Sequence, residues 1–310
     1  MTGTATKKNG TPLLGHIAAV IAVCMWGYSF VSSKVLLDNG LGPVQIYVYR
    51  FILAYVLVLF ISHKRLWASS FREEMMLALC GLTAGSIYFI AENTALEYTL
   101  ATNVSLLTSM SPLITAILVG LVYRTQKLGI GTWLGAGIAV VGVGCVVFNS
   151  STSLEVKPLG DMLSLSAAVC WAFYSLILRQ LNANYDVWFI SRKTFFYGIV
   201  TALPFLLFET GASDVIEVLS RPQVYGNLLF LGVGASVTGY VLWAVSVKTI
   251  GALPANNYMY FQSIVTLVIS AFLLGERVTV IGYIGIALIL GGLWAGDNIN
   301  KLFARRKQHS

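Results

Sequence analysis

Ten apolar stretches run along this chain, each long enough to cross a lipid bilayer as a helix. The hydrocarbon core of a bilayer is about 30 Å thick, and a helix needs about 20 residues to cross it. The stretches begin near Leu13, Pro43, Met75, Leu100, Leu128, Leu159, Asp186, Val224, Leu253 and Thr279. Spanning strands are about 10 residues long and alternate polar with apolar side chains, so the lengths exclude a barrel. We therefore predict an all-α membrane protein with ten transmembrane helices.

Composition narrows the classes of function. Only 11% of the residues are charged, whereas about a quarter are charged in a soluble domain. The sequence has no H-E-x-x-H, G-x-S-x-G or P-loop motif, so we predict neither enzyme activity nor ATP hydrolysis by this chain. The four cysteines and three histidines are dispersed, which predicts no disulfide, no metal site and no cofactor.

The distribution of basic residues predicts the orientation. With the N-terminus inside, thirteen of the twenty Lys and Arg residues fall on the cytoplasmic side and four on the opposite side. The positive-inside rule then places both termini in the cytoplasm of a multi-pass protein, expected in a bacterial inner membrane. No basic face is clustered, so we expect no nucleic-acid partner. The basic tail, residues 297–310, is expected to contact anionic lipid headgroups.

One motif is written twice, as Met25-Trp-Gly-Tyr-Ser-Phe30 and as Cys170-Trp-Ala-Phe-Tyr-Ser175, at an offset of about 145 residues. Other positions match at similar offsets: Lys34 with Arg179, Arg50 with Arg192, Thr99 with Thr249, Gln126 with Glu276, Gly135 with Gly285, and Gly142 with Gly292. Each copy holds five spans. Because five is odd, the second copy enters the membrane upside down, which predicts two inverted five-helix repeats.

The repeat also predicts the domain limits. Residues 1–12 form a cytoplasmic N-terminal segment, 13–148 the first repeat, 149–158 a linker, 159–296 the second repeat and 297–310 the tail.

These residues carry a family resemblance. The Trp-Gly-x-Ser-Phe of the first span, Arg50 in the second, the run from Ala95 to Pro112, and Leu274-Gly-Glu-Arg277 before a glycine-rich last span resemble the EamA repeat of the drug/metabolite transporter superfamily. The first copy departs from this pattern at Gln126, where the second has Glu276. The resemblance covers nearly the whole chain. It implies a ten-helix transporter that moves small metabolites, often outward, through a cavity between the two halves.

Depth and helical spacing indicate the residues that line such a cavity. Aromatic and amide side chains dominate the central layer, which suits a small amphipathic solute. The candidate substrate-binding residues are Trp26, Tyr88, Glu92, Asn93, Ser105, Thr108, Ser109, Trp171, Tyr174, Tyr240, Trp243, Asn256, Tyr258, Tyr260 and Gln262. In this prediction Trp26 and Trp171 form opposite walls of one cavity.

Each assignment has an alternative. The two tryptophans could serve plain helix packing, and the stripe Ser105, Thr108 and Ser109 could join helices instead of binding a ligand. Glu92 is costly inside a span and suggests proton coupling or cation binding, but its depth also allows it to reach headgroups. Arg50 and Arg192 could extend to the near interface and pair structurally.

The function predicted from these patterns is secondary transport of an amino acid or related amine by alternating access, as an exporter. Protons are a possible coupling ion. An uncoupled, channel-like facilitator of small solutes is the alternative. The expected partners are the small-molecule substrate and the lipid bilayer.

Overall fold

The computed structural model describes residues 12–123, 130–149, 158–209, 215–251, 255 and 258–308, and the regular elements in these ranges are all helices. In chain order they are α1 Pro12–Asp38, α2 Pro43–Ile61, α3 Phe71–Gly81, α4 Ile87–Tyr98, α5 Ala101–Thr108, α6 Ser111–Tyr123, α7 Ile130–Asn149, α8 Pro158–Leu181, α9 Val187–Leu206, α10 Val215–Ser220, α11 Pro222–Leu229, α12 Gly239–Ile250, α13 Met259–Leu273 and α14 Val280–Gln308. Two π-helical segments, Leu82–Ser86 and Phe230–Thr238, join α3 to α4 and α11 to α12. Residues 1–11, the linker residues 150–157 and Gln126 lie outside the described ranges.

In the part of the chain that the structure describes, six helical segments are long and apolar enough to cross a membrane: Pro12–Asp38, Pro43–Ile61, Phe71–Tyr98, Ala101–Leu118, Pro158–Leu181 and Pro222–Ile250. Shorter apolar helices lie at Trp133–Val143, Met259–Leu273 and Val280–Gly292. Helix α9 has the length of a span but carries Arg192 and Lys193, which lower its hydropathy. The chain is therefore a multi-pass integral membrane protein, as predicted.

Three of the long segments are interrupted near their middles. The third bends at the π-helical turn, where Gly85 leaves the helical region (φ −114°, ψ −105°). The fourth breaks between Thr108 and Ser111, because Pro112 lacks an N–H and restricts the residue before it. The Pro222–Ile250 segment carries the longer π-helical stretch. Such irregular turns within helices often lie at functional sites.

Glycines bring helices of the two copies into close contact in pairs. A Cβ on Gly142 would lie 2.8 Å from the Gly285 carbonyl oxygen, and one on Gly292 would lie 2.8 Å from the Gly135 carbonyl oxygen. These two contacts join α7 and α14. The two contacts are equivalent under the sequence repeat: Gly142 of the first copy corresponds to Gly292 of the second, and Gly285 of the second copy corresponds to Gly135 of the first.

A second exchanged pair joins α1 to α12 and α8 to α4. A Cβ on Gly15 would lie 3.0 Å from the Thr249 Cβ, and one on Gly160 would lie 3.1 Å from the Thr99 Cγ2. Small residues at these crossings let the backbones approach closely, as is usual for helices in lipid.

Glu276 caps helix α5. Its carboxylate accepts hydrogen bonds from the backbone N–H groups of Ala101 (2.7 Å) and Thr102 (3.2 Å) and from the Thr102 hydroxyl (2.8 Å). The first N–H groups of α5 have no partner within the helix, and a carboxylate satisfies them and complements the helix dipole. Arg277, the next residue, is exposed.

Candidate functional site

A small central cavity lies among α1, α2, α4, α8, α12 and α13. Its volume is about 20 Å³, which is room for one water molecule. Its lining is mainly aromatic and includes one acid and one base. The lining residues are Trp26, Ser29, Phe30, Arg50, Tyr88, Phe89, Glu92, Trp171, Tyr240, Met259 and Gln262.

The two tryptophans of the repeat meet at this cavity. The ring centroids of Trp26 and Trp171 are 5.4 Å apart at an interplanar angle of 79°, which is an edge-to-face contact. Tyr240 lies against both, with centroids 5.9 Å from Trp26 and 6.1 Å from Trp171. The prediction that the tryptophans form opposite walls is wrong in this conformation. The two tryptophans lie at the same depth, and each is on the face of its helix that points to the centre. Their side chains therefore meet instead of lying on opposite sides of a cavity.

Two further candidates, Trp243 and Tyr174, lie just behind the lining. The Trp243 ring is 5.2 Å from Trp26, and the Tyr174 ring is 5.1 Å from Trp171. Both side chains are buried. They therefore support the two tryptophans from behind.

The indole N–H groups of the two tryptophans differ in their bonding. Trp26 Nε1 donates to the Ala235 carbonyl oxygen at 3.0 Å, within the π-helical segment before α12. Gly239 makes room for this ring, since a Cβ there would lie 2.6 Å from Nε1. Trp171 Nε1 is buried and has no hydrogen-bond partner among the described residues. Such a group is rare in a native structure.

Arg50 lies on the cavity and does not reach the interface, so that expectation is wrong. The residue is 1% exposed. Its Nε donates to the Ser236 hydroxyl at 3.1 Å, and its guanidinium lies 4.4 Å from the Phe89 ring centroid. Its Nη1 is buried without a partner. The sequence already gave a signal, because a cation inside a span is a functional hypothesis by default.

Arg192, the match of Arg50 in the second copy, lies elsewhere. It donates to the carbonyl oxygens of Ser62 and Arg65, in the loop that follows α2. The adjacent Lys193 forms an ion pair with Glu74 and lies 4.4 Å from the Trp67 ring centroid. These contacts hold a helix end and a loop, in agreement with the structural role expected for Arg192.

Glu92 is 2% exposed, so the interpretation that places it among headgroups is wrong. Its carboxylate interacts with the Tyr88 hydroxyl one turn earlier and electrostatically with Arg50. Gly85, Tyr88 and Glu92 are spaced at i, i+3 and i+7 along the third span, and all three are buried on one face of it. The position of Glu92 along the helix indicates only its depth in the membrane. The face of the helix on which it lies points to the cavity, and this places its side chain there.

The stripe of small polar residues on α5 joins helices instead of lining the cavity. Ser109 Oγ lies 2.7 Å from Ser263 Oγ, and Ser263 Oγ donates to the Ser105 carbonyl oxygen at 2.9 Å. Thr108 Oγ1 bonds its own helix at the Val104 carbonyl oxygen (2.9 Å). The packing alternative therefore describes Ser105, Thr108 and Ser109.

The remaining candidates divide. Gln262 is buried and lines the cavity. Asn93 donates to the Pro43 carbonyl oxygen (3.0 Å), and Tyr258 bonds His16 (2.8 Å), so neither is on the lining. Tyr260 packs beside the cluster of Leu106 and Ile289. Asn256 lies outside the described residues.

Sequence reasoning missed four lining residues, namely Ser29, Phe30, Phe89 and Met259, as well as Arg50. The first two belong to the repeated motif itself, so the signal was present. The described residues contain no group of three His, Cys, Asp or Glu side chains that could hold a metal ion.

Comparisons with known proteins agree on one family. A model of the EamA-like transporter family matches residues 13–148 and again 158–295. An uncharacterized transporter of Archaeoglobus fulgidus is 27% identical, over 90% of this chain and 96% of its own. A probable amino-acid metabolite efflux pump of Escherichia coli is 23% identical, over 90% of this chain and 93% of its own. A solved crystal structure matches with a TM-score of 0.65 at 14% identity, covering 91% of this chain and 98% of that one, which shows a shared fold alone.

Proposed function

Because the chain belongs to the EamA-like transporter family, we propose that it is a secondary transporter that exports a small amphipathic metabolite, an amino acid or a related amine. The observation that carries the proposal is the small, mainly aromatic cavity that holds one buried acid and one buried base. Aromatic faces provide apolar area and attract cations, and the two charged groups can orient a small solute. The Escherichia coli relative named as an amino-acid metabolite efflux pump supports the same class of cargo.

We propose that ten spans form two inverted five-helix repeats, 13–148 and 159–296, with both termini in the cytoplasm. The exchanged contacts support this arrangement. If one twofold axis relates the copies, every contact between them recurs with the partners exchanged, as in a symmetric dimer. The contact of Gly142 with Gly285 recurs as that of Gly292 with Gly135. The contact of α1 with α12 likewise recurs as that of α8 with α4.

The size of the cavity supports alternating access as the mechanism. A volume of about 20 Å³ is far below the roughly 300 Å³ of a small-molecule site. A metabolite can therefore enter only if the aromatic rings separate. The π-helical segments next to the cavity are suitable places for the two halves to flex. A channel-like facilitator needs a continuous path wide enough for its solute, which a cavity of this size does not favour.

We propose that Glu92 couples export to protons. A carboxylate inside the membrane that faces the substrate path is a typical proton carrier. The described chain offers a matched control on the same helix, because Glu97 is exposed while Glu92 is buried.

The test is counterflow and proton-driven flux in proteoliposomes, with a panel of amino acids and their amines. We expect saturable counterflow that an imposed proton gradient accelerates. Glu92→Gln should lose the gradient response, whereas Glu97→Gln should keep it. Coupling through Glu92 is refuted if the two variants respond to the gradient alike. The absence of counterflow for every solute in the panel would refute transport of this class.

A further inference from the structure

Resting on the proposed function, we infer that the cavity selects zwitterions, with Arg50 binding a carboxylate and Glu92 binding an ammonium group. Both residues are fully buried and line the same cavity. Among the described residues, however, they do not form a direct ion pair with each other, although they interact electrostatically. The cavity thus presents an acidic and a basic side chain that do not pair directly.

Arg50 has an unused donor that points to an anionic ligand. Ser236 accepts from Nε, and the Phe89 ring covers a face of the guanidinium, but Nη1 is buried with no acceptor. Leaving a charged donor unpaired in a buried site is costly. A guanidinium offers parallel N–H groups that match the two oxygens of a carboxylate. A carboxylate on the substrate would therefore complete the bonding of Arg50.

Glu92 provides the other half of the site. It interacts with the Tyr88 hydroxyl, and the rings of Trp26 and Trp171 lie on the same lining. An ammonium group is attracted both by the carboxylate and by the faces of nearby aromatic rings. The apolar part of the substrate would then lie against the remaining rings.

The two charges together determine the specificity. A zwitterion brings no net charge into the cavity and pairs with both groups. An amine without a carboxylate leaves Arg50 unpaired and places a second cation near it. A carboxylic acid without an amine has the same defect at Glu92. A site built to bond a polar group of its substrate rejects an analogue that lacks this group by factors of about 10⁴ or more, because the buried partner is left unpaired. Water can enter a transporter and partly satisfy that partner. We therefore expect a preference of at least about 100-fold for the zwitterion over an analogue that lacks one charged group.

The experiment measures counterflow by the full-length wild-type protein for each amino acid of a standard panel, beside its amide and its decarboxylated amine. We expect some amino acids to be transported and their amides and amines to be at least about 100-fold poorer. If the amides or amines are transported with the same efficiency as the parent amino acids, the zwitterion inference is wrong while the proposed function stands. If no member of the panel is transported, the proposed function itself fails.

A variant pair assigns the carboxylate to Arg50. Arg50→Gln should lose the preference for the amino acid over its amide. Without the guanidinium, the carboxylate of the amino acid no longer has a charged partner in the cavity that favours it over the neutral amide. Lys248→Gln, a basic residue exposed at the end of α12, should keep the preference. An unchanged preference in Arg50→Gln would overturn the assignment. The wild-type panel decides the inference even if Arg50→Gln does not fold.

Discussion

The tryptophan pair provides a test of the structure that the sequence repeat alone could not supply. Trp26→Phe removes a buried hydrogen bond, from Nε1 to the Ala235 carbonyl oxygen at 3.0 Å. Trp171→Phe removes an N–H that has no partner. Both substitutions remove the same atoms and both rings are buried in the same aromatic cluster. The loss of ring area is therefore similar, and the difference between the variants reports the two N–H groups.

The size of that difference follows from the bonding. Losing a typical intramolecular hydrogen bond costs about 1 kcal/mol, whereas a buried donor without an acceptor already costs about 1–3 kcal/mol in the wild type. Trp26→Phe loses the stabilisation from its hydrogen bond, and Trp171→Phe removes the cost of burying an unpaired N–H. We therefore expect Trp26→Phe to be less stable than Trp171→Phe by about 2 kcal/mol or more.

The assay is thermal unfolding of the purified protein in detergent with added lipid, at one fixed scan rate. A fixed rate is needed because membrane proteins of this size seldom unfold reversibly, so the apparent Tm depends on the scan. Trp26→Phe should have the lower apparent Tm. Equal shifts, or a larger decrease for Trp171→Phe, would refute the difference in hydrogen bonding between the two indole N–H groups.

Two further predictions concern the frame around the site. Glu276→Gln should lower the apparent Tm, with a cost of about 1–2 kcal/mol, because a neutral amide caps the start of α5 less well than a carboxylate. Arg277→Gln, at the exposed neighbouring position, is the control and should have little effect. Equal decreases in Tm for the two variants would contradict the cap. Gly85→Ala should destabilise the protein, since its Cβ would lie 2.7 Å from the Tyr47 hydroxyl oxygen. That hydroxyl is buried without a partner, so Tyr47→Phe should be tolerated and should rescue Gly85→Ala; a double variant no more stable than Gly85→Ala alone would show that the clash does not cause the loss.

The positions of the helices could be predicted well because lipid leaves few choices. A bilayer requires long apolar helices with paired backbones, and both requirements are written in the sequence as length and hydropathy. Helix starts at Pro43, Pro158 and Val187 agree closely with the predicted Pro43, Leu159 and Asp186. Helix α9 lies where a span was predicted, although Arg192 and Lys193 lower its hydropathy.

The cavity could be predicted only in part, because periodicity gives the face of a helix and hydropathy gives its depth, but neither gives the partner. The aromatic residues Trp26, Trp171 and Tyr240 were found because large rings at mid-depth are unusual. Ser105 and Ser109 have a similar depth, yet they meet Ser263 on α13. Which neighbour a polar face meets depends on tertiary packing, and a single sequence does not record it.

The repeat also explains why equal sequence positions were a poor guide to the charges. Arg50 and Arg192 match in sequence, but only Arg50 faces the cavity, while Arg192 binds the carbonyl groups of a loop. At the offset that pairs Thr99 with Thr249, the match of Glu92 is Leu242, which carries no charge. The cavity thus holds one cation and one anion instead of two of each. A site with two equal halves would present the same groups to both ends of a substrate. A zwitterion has two different ends, so a cavity that selects it has to break the symmetry of the repeat at the positions that bind charge, and Arg50 and Glu92 are the positions where this chain does so.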